Sequence, residues 1–243
     1  ATTVGGGGTT GMGGATGGGG DIGIGGIAGG GGAAGIGCSP DLQKVVDENG
    51  NVLMDCPPDQ GCFGGACIPA CDAAAQSKGS IGCDFWAPDP PFFMNNDGNS
   101  GHDGPCYAVF LANAWGRPAQ ITVSRGAQSF DLATFGRIPI GQGPSTTYEP
   151  IPPTGLPPGQ VAVLFLSHKP GVSNFTSLEC PIPPAVLADA AVQSSGKGTA
   201  FHVLVDTPVS AYDILPYGGA KSYLPGATLL YPGTAWGTNY VGL

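Results

Sequence analysis

Charge is scarce in this sequence, and positive charge most of all: Lys and Arg number 8 among 243 residues, against 17 Asp and Glu, for a formal net charge of −9. A chain this poor in cations cannot neutralise a run of phosphates, so nucleic acid and anionic membrane surfaces are set aside as partners. No apolar run approaches the roughly 18 residues that would span a bilayer as a helix. Long helices are excluded as well, because 45 Gly and 24 Pro break regular backbone throughout. Histidine occurs three times, at His102, His168 and His202, and no G-x-S-x-G elbow accompanies the many serines. Nothing forms a catalytic signature, and the chain is expected not to be an enzyme.

What the sequence does have is sulfur. Cys38, Cys56, Cys62, Cys67, Cys71, Cys83, Cys106 and Cys180 make an even set, five of them between positions 56 and 83 in a stretch rich in Pro, Gly and Asp. That stretch has too few large apolar residues to hold one conformation by burial, so disulfides are expected to close it. Zinc is the rival, but no C-x2-C pair occurs in the cluster. Cys106 and Cys180 border strand-like runs and are candidates for one bridge, with Cys38 an equal candidate for either. Disulfides imply an oxidising location, the periplasm, the cell surface or the medium, with an extracellular or outer-surface setting expected. The chain opens at Ala1 without the charged and apolar regions of an export signal, so any such signal has been removed or was never included, and a lipid anchor, if present, lies outside this chain, upstream of the tether.

Three regions follow one another. Residues 1–37 contain 20 Gly and read as a flexible tether, since glycine loses the most backbone entropy on ordering. Gly18, Gly20 and Gly23 satisfy G-x-G-x-x-G, but no strand precedes them, and a half-glycine tract matches by composition. Residues 38–105 form a cysteine-rich lead-in. Within it, residues 44–54 predict a hairpin turning at Asn49-Gly50, and Asp72 is placed to cap a short helix through Lys78 that stops at Gly79. Residues 106–243 read as a β domain. Residues 107–112 and 161–166 are continuous apolar runs, residues 119–125 alternate with Ile121 and Val123 inward, and further strands are expected at 201–205, 209–214 and 227–231. Short strands between Pro and Gly turns predict an all-β fold, an antiparallel β-sandwich-like domain, with a β-propeller-like arrangement as the alternative. The sequence stops at Leu243 within another strand-like run, which suggests that the domain continues beyond it.

Four segments together resemble the N-terminal domain of IgGFc-binding proteins, in its bacterial, exported or lipoprotein-type branch. They are Ser80-Ile81-Gly82-Cys83-Asp84-Phe85-Trp86, Ala112-Asn113-Ala114-Trp115 ahead of 119–123, Asp206-Thr207-Pro208-Val209-Ser210-Ala211-Tyr212, and Ala227-Thr228-Leu229-Leu230-Tyr231-Pro232. The resemblance spans about residues 78–243. It implies an exported binding domain behind a spacer, carries no catalytic residues, and does not by itself extend Fc binding to this chain. In this family pattern Pro208 is expected to end one strand and start the next, with Asp206 folding back on the turn.

Candidate sites are few. Asn95, Asp97, Asn99 and Asp103 make one oxygen-rich loop, a weak calcium candidate without the distal Glu of an EF-hand, and no other cofactor is expected. His202 is expected to point to solvent, and His168 to close a strand. Trp86, Trp115, Trp236, Tyr148, Tyr217 and Tyr223 lie beside Pro or Gly turns more often than in strands, where they cover sandwich ends or serve as binding anchors. Asn174-Phe175-Thr176 is a glycosylation sequon. The expected function is adhesion or recognition of a protein or glycan partner at the surface or in the matrix; the alternative is a subunit of an extracellular filament that self-assembles by strand pairing.

Overall fold

A computed structural model describes residues 35–92, 104–170, 179–218 and 225–237. The oxygen-rich loop from Asn95 to Asp103, His102, the sequon at 174–176, Tyr223 and residues 1–34 of the glycine tract lie outside the described residues. The last part of that tract is not spacer: Ile36 and Gly37 belong to β1 (Ile36–Cys38).

Strand β1 pairs antiparallel with β2 (Lys44–Asp47), which pairs with β3 (Val52–Asp55). The β2–β3 turn is the expected hairpin. Gly50 adopts φ 82°, and the Asp47 carboxylate accepts the backbone N–H groups of Asn49 and Asn51 at 2.9 and 2.8 Å. Those bonds, and one from the Asn51 side chain, hold the Asp47 pKa below its ordinary value and account for Asp47, Asn49 and Asn51 as turn chemistry. A second hairpin, β4 (Gln60–Phe63) and β5 (Ala66–Pro69), leads into α1 (Ala70–Ser77). The helix departs from the expected span. It opens at Ala70, Asp72 lies in its first turn instead of capping it, and Lys78 (φ 56°) takes the left-handed position expected of Gly79. Asp72 still faces the positive end of the helix dipole.

All eight cysteines are paired, as Cys38–Cys62, Cys56–Cys67, Cys71–Cys83 and Cys106–Cys180. The first two close the lead-in upon itself. The third ties α1 to β6 (Ile81–Ala87), and β6 is a strand of the large sheet although it lies within the lead-in range.

That sheet contains β6, β7 (Tyr107–Ala112), β8 (Ile121–Arg125), β9 (Gln128–Phe130), β10 (Gly136–Ile140), β11 (Thr147–Pro150), β12 (Val161–Ser167), β13 (Phe201–Leu215) and β14 (Gly226–Leu230). One turn of helix, α2 (Leu132–Phe135), joins β9 to β10. Every pairing between these strands is antiparallel, in the order β11-β10-β12-β7-β13-β8-β9, with β6 and β14 also on β13. The fold is therefore all-β and sandwich-like, a curled half-barrel.

Strand β13 makes the curl possible. Its first five residues lie between β8 and β6, and its last five between β7 and β14. The expected strands 201–205 and 209–214 are thus one strand of 15 residues. Between them the alternation slips: Thr207, Pro208 and Val209 are buried in succession, and the register against β6 shifts between Leu204 and Val209. Pro208 has no N–H for the ladder, which favours a bulge and a bend there without ending the strand. The Thr207 hydroxyl is satisfied locally, donating to Pro118 O at 3.3 Å and accepting from Arg117 Nε at 2.9 Å.

The concave face is the core, with Phe85, Tyr107, Phe135, Leu164 and Phe201 fully buried. Side chains of this size each contribute about 2 kcal/mol by leaving water. The continuous runs of β7 and β12 have a second cover on their convex side. Phe110 stacks on Tyr212 at 4.9 Å, and Tyr217 meets Phe165 edge-on at 5.0 Å beside the Cys106–Cys180 bridge. Trp115 is buried where the lead-in docks, its Nε1 donating to Pro58 O at 3.0 Å. A cavity of about 30 Å3 at this junction, bordered by Asp41, Trp115 and Pro208, has room for water only.

Candidate functional site

Strand parity builds the site. Phe201, Val203 and Val205 face the core, so His202 and Leu204 point outward, and antiparallel partners share a face. His202 lies opposite Trp86 on β6 and Ser124 on β8; Leu204 lies opposite Asp84 and Thr122. Ser129 of β9, opposite Ser124, extends the first row. The two rows, Trp86-His202-Ser124-Ser129 and Asp84-Leu204-Thr122, contain no Lys or Arg and one carboxylate.

The indole of Trp86 stacks on the imidazole of His202, with centroids 4.1 Å apart and planes 9° from parallel. Diagonally across the pair, His202 Nε2 is 2.9 Å from Asp84 Oδ1. The imidazole is held on two sides, and the indole, 52 % exposed, is held on one of its faces. Such a platform has already lost the rotamer freedom that binding would otherwise remove. One flank is closed by the chain leaving β14, where Pro232 lies against Gly82. A Cβ on residue 82 would come within 2.4 Å of the Pro232 ring, so only glycine admits this approach. Lys78 Nζ donates to Thr234 O at 2.7 Å and fixes the segment. Beyond it, Trp236 donates from Nε1 to Tyr231 O at 3.3 Å, with its indole 62 % exposed.

The expected residues fall as follows. His202 does lie on the outward face, but it is half-buried and engaged by a tryptophan and a carboxylate. Trp86 is a strand residue, not a loop residue, and with Trp236 it is exposed; Trp115, Tyr148 and Tyr217 are packing residues. His168 follows β12 and is buried, its backbone N–H on Val186 O at 3.1 Å. Among the described residues no group of three or more His, Cys, Asp and Glu is placed to hold a metal ion. Asp206 does not fold back on the backbone of its own turn; its Oδ1 accepts the Gln120 N–H at 2.7 Å, and its Oδ2 pairs with Arg117 at 2.6 Å, which ties β13 to the connection between β7 and β8.

Two carboxyls have a raised pKa, Asp213 within β13 and Asp89 just after β6, and the sequence did not reveal them. Burial pushes Asp213 up; it accepts Tyr107 Oη at 3.2 Å and Thr228 N–H at 3.1 Å. Burial likewise raises Asp89 to about 6, against the opposing bond from the Ser167 hydroxyl. Both are occupied by internal partners, and the Tyr107 hydroxyl is itself pushed far above its ordinary value by burial. Both groups serve packing.

No protein-family model matches this chain, and neither a curated protein nor a solved structure matches it. The residues of the convex face therefore carry the functional reading.

Proposed function

We propose that this chain is a non-enzymatic recognition domain of an exported protein, which binds its partner through the outward face of β6, β13 and β8. The observation that carries this reading is the Trp86-His202-Asp84 arrangement: a large aromatic, exposed on a strand face and held in one orientation. Four disulfides and the absence, among the described residues, of a helix long and apolar enough to cross a membrane support an extracellular setting. The resemblance to IgGFc-binding N-terminal domains points to binding as well, and its first segment ends at Trp86.

The filament alternative draws support from Val52, Leu53 and Met54, all exposed on the edge strand β3. Against it, a bulge at Leu53 interrupts that strand, and β11 ends on Pro150, both devices that blunt an edge. Recognition is the better reading. The test is a pull-down from serum, mucus and cell-envelope extracts with the disulfide-intact protein and with Trp86→Ala/His202→Ala. A saturable partner at micromolar concentration, lost in the variant while its circular dichroism is unchanged, is the expected result. Equal capture by both proteins would reject this face as the site.

A further inference from the structure

Resting on that reading, we infer that the convex strip takes a neutral oligosaccharide. One face of the Trp86 indole is spent on His202, which leaves the other as the contact surface. A pyranose ring presents a patch of C–H groups on one side and hydroxyls around its rim, which suits a face that carries one exposed indole beside Asp84 and His202, with small hydroxyl side chains on the next two strands. Thr122, Ser124 and Ser129 both donate and accept, and Asp84 accepts. The row from Trp86 to Ser129 crosses four adjacent strands, roughly 14 Å at the usual strand spacing, which is the reach of a short chain of sugars.

Charge decides which sugars. No Lys or Arg stands at any position of the two rows. Arg117 is committed to Asp206, and Arg125 to the carbonyls of Thr199 and Ala190. Sialylated, sulfated or uronic chains would meet Asp84 and a net charge of −9 without a counter-ion. Size argues against a protein ligand. A stable protein interface buries about 800 Å2 on each partner around several aromatic or Arg anchors. This strip offers one fixed indole and the half-exposed Leu204, and the Pro232–Trp236 segment bounds it.

The experiment uses the full chain with its disulfides intact. Soluble hexasaccharides of glucose, N-acetylglucosamine, galactose and mannose are titrated by calorimetry and tryptophan fluorescence, with sialyllactose and a heparin hexasaccharide as anionic probes. The expected result is binding of at least one neutral series, unaffected by salt. Affinity should fall about tenfold or more in Trp86→Ala and be largely retained in Trp86→Phe. Heat from the anionic probes alone, silence from every neutral sugar at millimolar concentration, or unchanged affinity in Trp86→Ala would overturn the sugar assignment. The pull-down separates the two levels. A protein partner lost in the Trp86→Ala/His202→Ala variant, with no sugar bound, leaves the face as the site and removes the sugar; loss of neither removes both.

Discussion

Asp89 gives the fold a pH dependence that can be isolated. It follows β6, accepts the Ser167 hydroxyl and the Ala190 N–H, and has Asp189 and Arg125 as its nearest charges. Burial outweighs these bonds and raises its pKa from 3.8 to about 6. A carboxyl that holds its proton more tightly in the fold than in the unfolded chain makes the folded state the better proton binder between pH 4 and 6. Stability therefore falls as pH rises through that window, and the full penalty is present above it. A shift of roughly two pH units corresponds to at most about 3 kcal/mol, and the partial exposure of Asp89 reduces this to about 2 kcal/mol. Asp89→Asn keeps the shape and removes the titration. Urea unfolding under non-reducing conditions at about pH 4.5 and 7.5 should show the variant gaining about 1 kcal/mol on the wild type as the pH rises, since about a third of the penalty is already present at the lower pH. Asp213 acts in the same direction, but it is common to both proteins and cancels in the comparison. Parallel pH profiles for the two proteins would show that Asp89 is not ionised against a burial penalty, and the reasoning would fail.

Other outcomes follow from the covalent and buried polar framework. Removing Cys106–Cys180 by double Ser substitution should cost about 4.5 kcal/mol, since it opens a loop of sequence separation 74, whereas removing Cys56–Cys67, with separation 11, should cost about 3 kcal/mol; equal losses in thermal unfolding would contradict the loop-length argument. Asn113 is buried, with Nδ2 donating to Arg117 O at 2.9 Å and Leu156 O at 2.8 Å and Oδ1 accepting the Trp115 N–H at 2.9 Å. Asn113→Ala leaves three backbone groups without that partner and should cost about 3 kcal/mol in chemical denaturation; a loss under 1 kcal/mol would mean water replaces the amide.

The sequence was most legible where one physical rule acted alone. Strict alternation placed Ile121 and Val123 inward and Thr122 outward, as observed, and Asn49-Gly50 made the expected turn. The uninterrupted runs of β7 and β12 are buried on both sides, and the convex cover of Phe110, Tyr212 and Tyr217 comes from residues far apart in the chain. Thr207-Pro208 misled because a missing N–H normally ends a ladder; here the side chains of Arg117 and Thr207 carry the strand across the bend. Trp86 was expected beside a turn, as an end cover or a binding anchor, yet it lies within a strand, where Asp84 and Trp86 alternate with the buried Phe85 and Ala87. An aromatic on the polar parity of a strand was the available signal. Its partner His202 lies 116 positions away, and only the register of β6 on β13 brings the two together.

That register also gives the lead-in a role beyond its own stability. Among the described residues β6 pairs on one side only, with β13, and edge strands are the first parts of a sheet to open. Cys83 stands between Gly82 and Asp84 on this strand, and its bridge to Cys71 fastens the strand to α1. Gly82 admits Pro232 against the strand, and Lys78, the residue that ends α1, holds Thr234 in the same crossing segment. The strand that positions Asp84 and Trp86 is thus held by a ladder, a covalent bridge and a strap. The bridge and the strap's lysine both originate in α1. Few side chains of the lead-in are large enough to immobilise an edge by packing, so the sulfur bridge supplies the rigidity that hydrophobic burial gives the rest of the sheet.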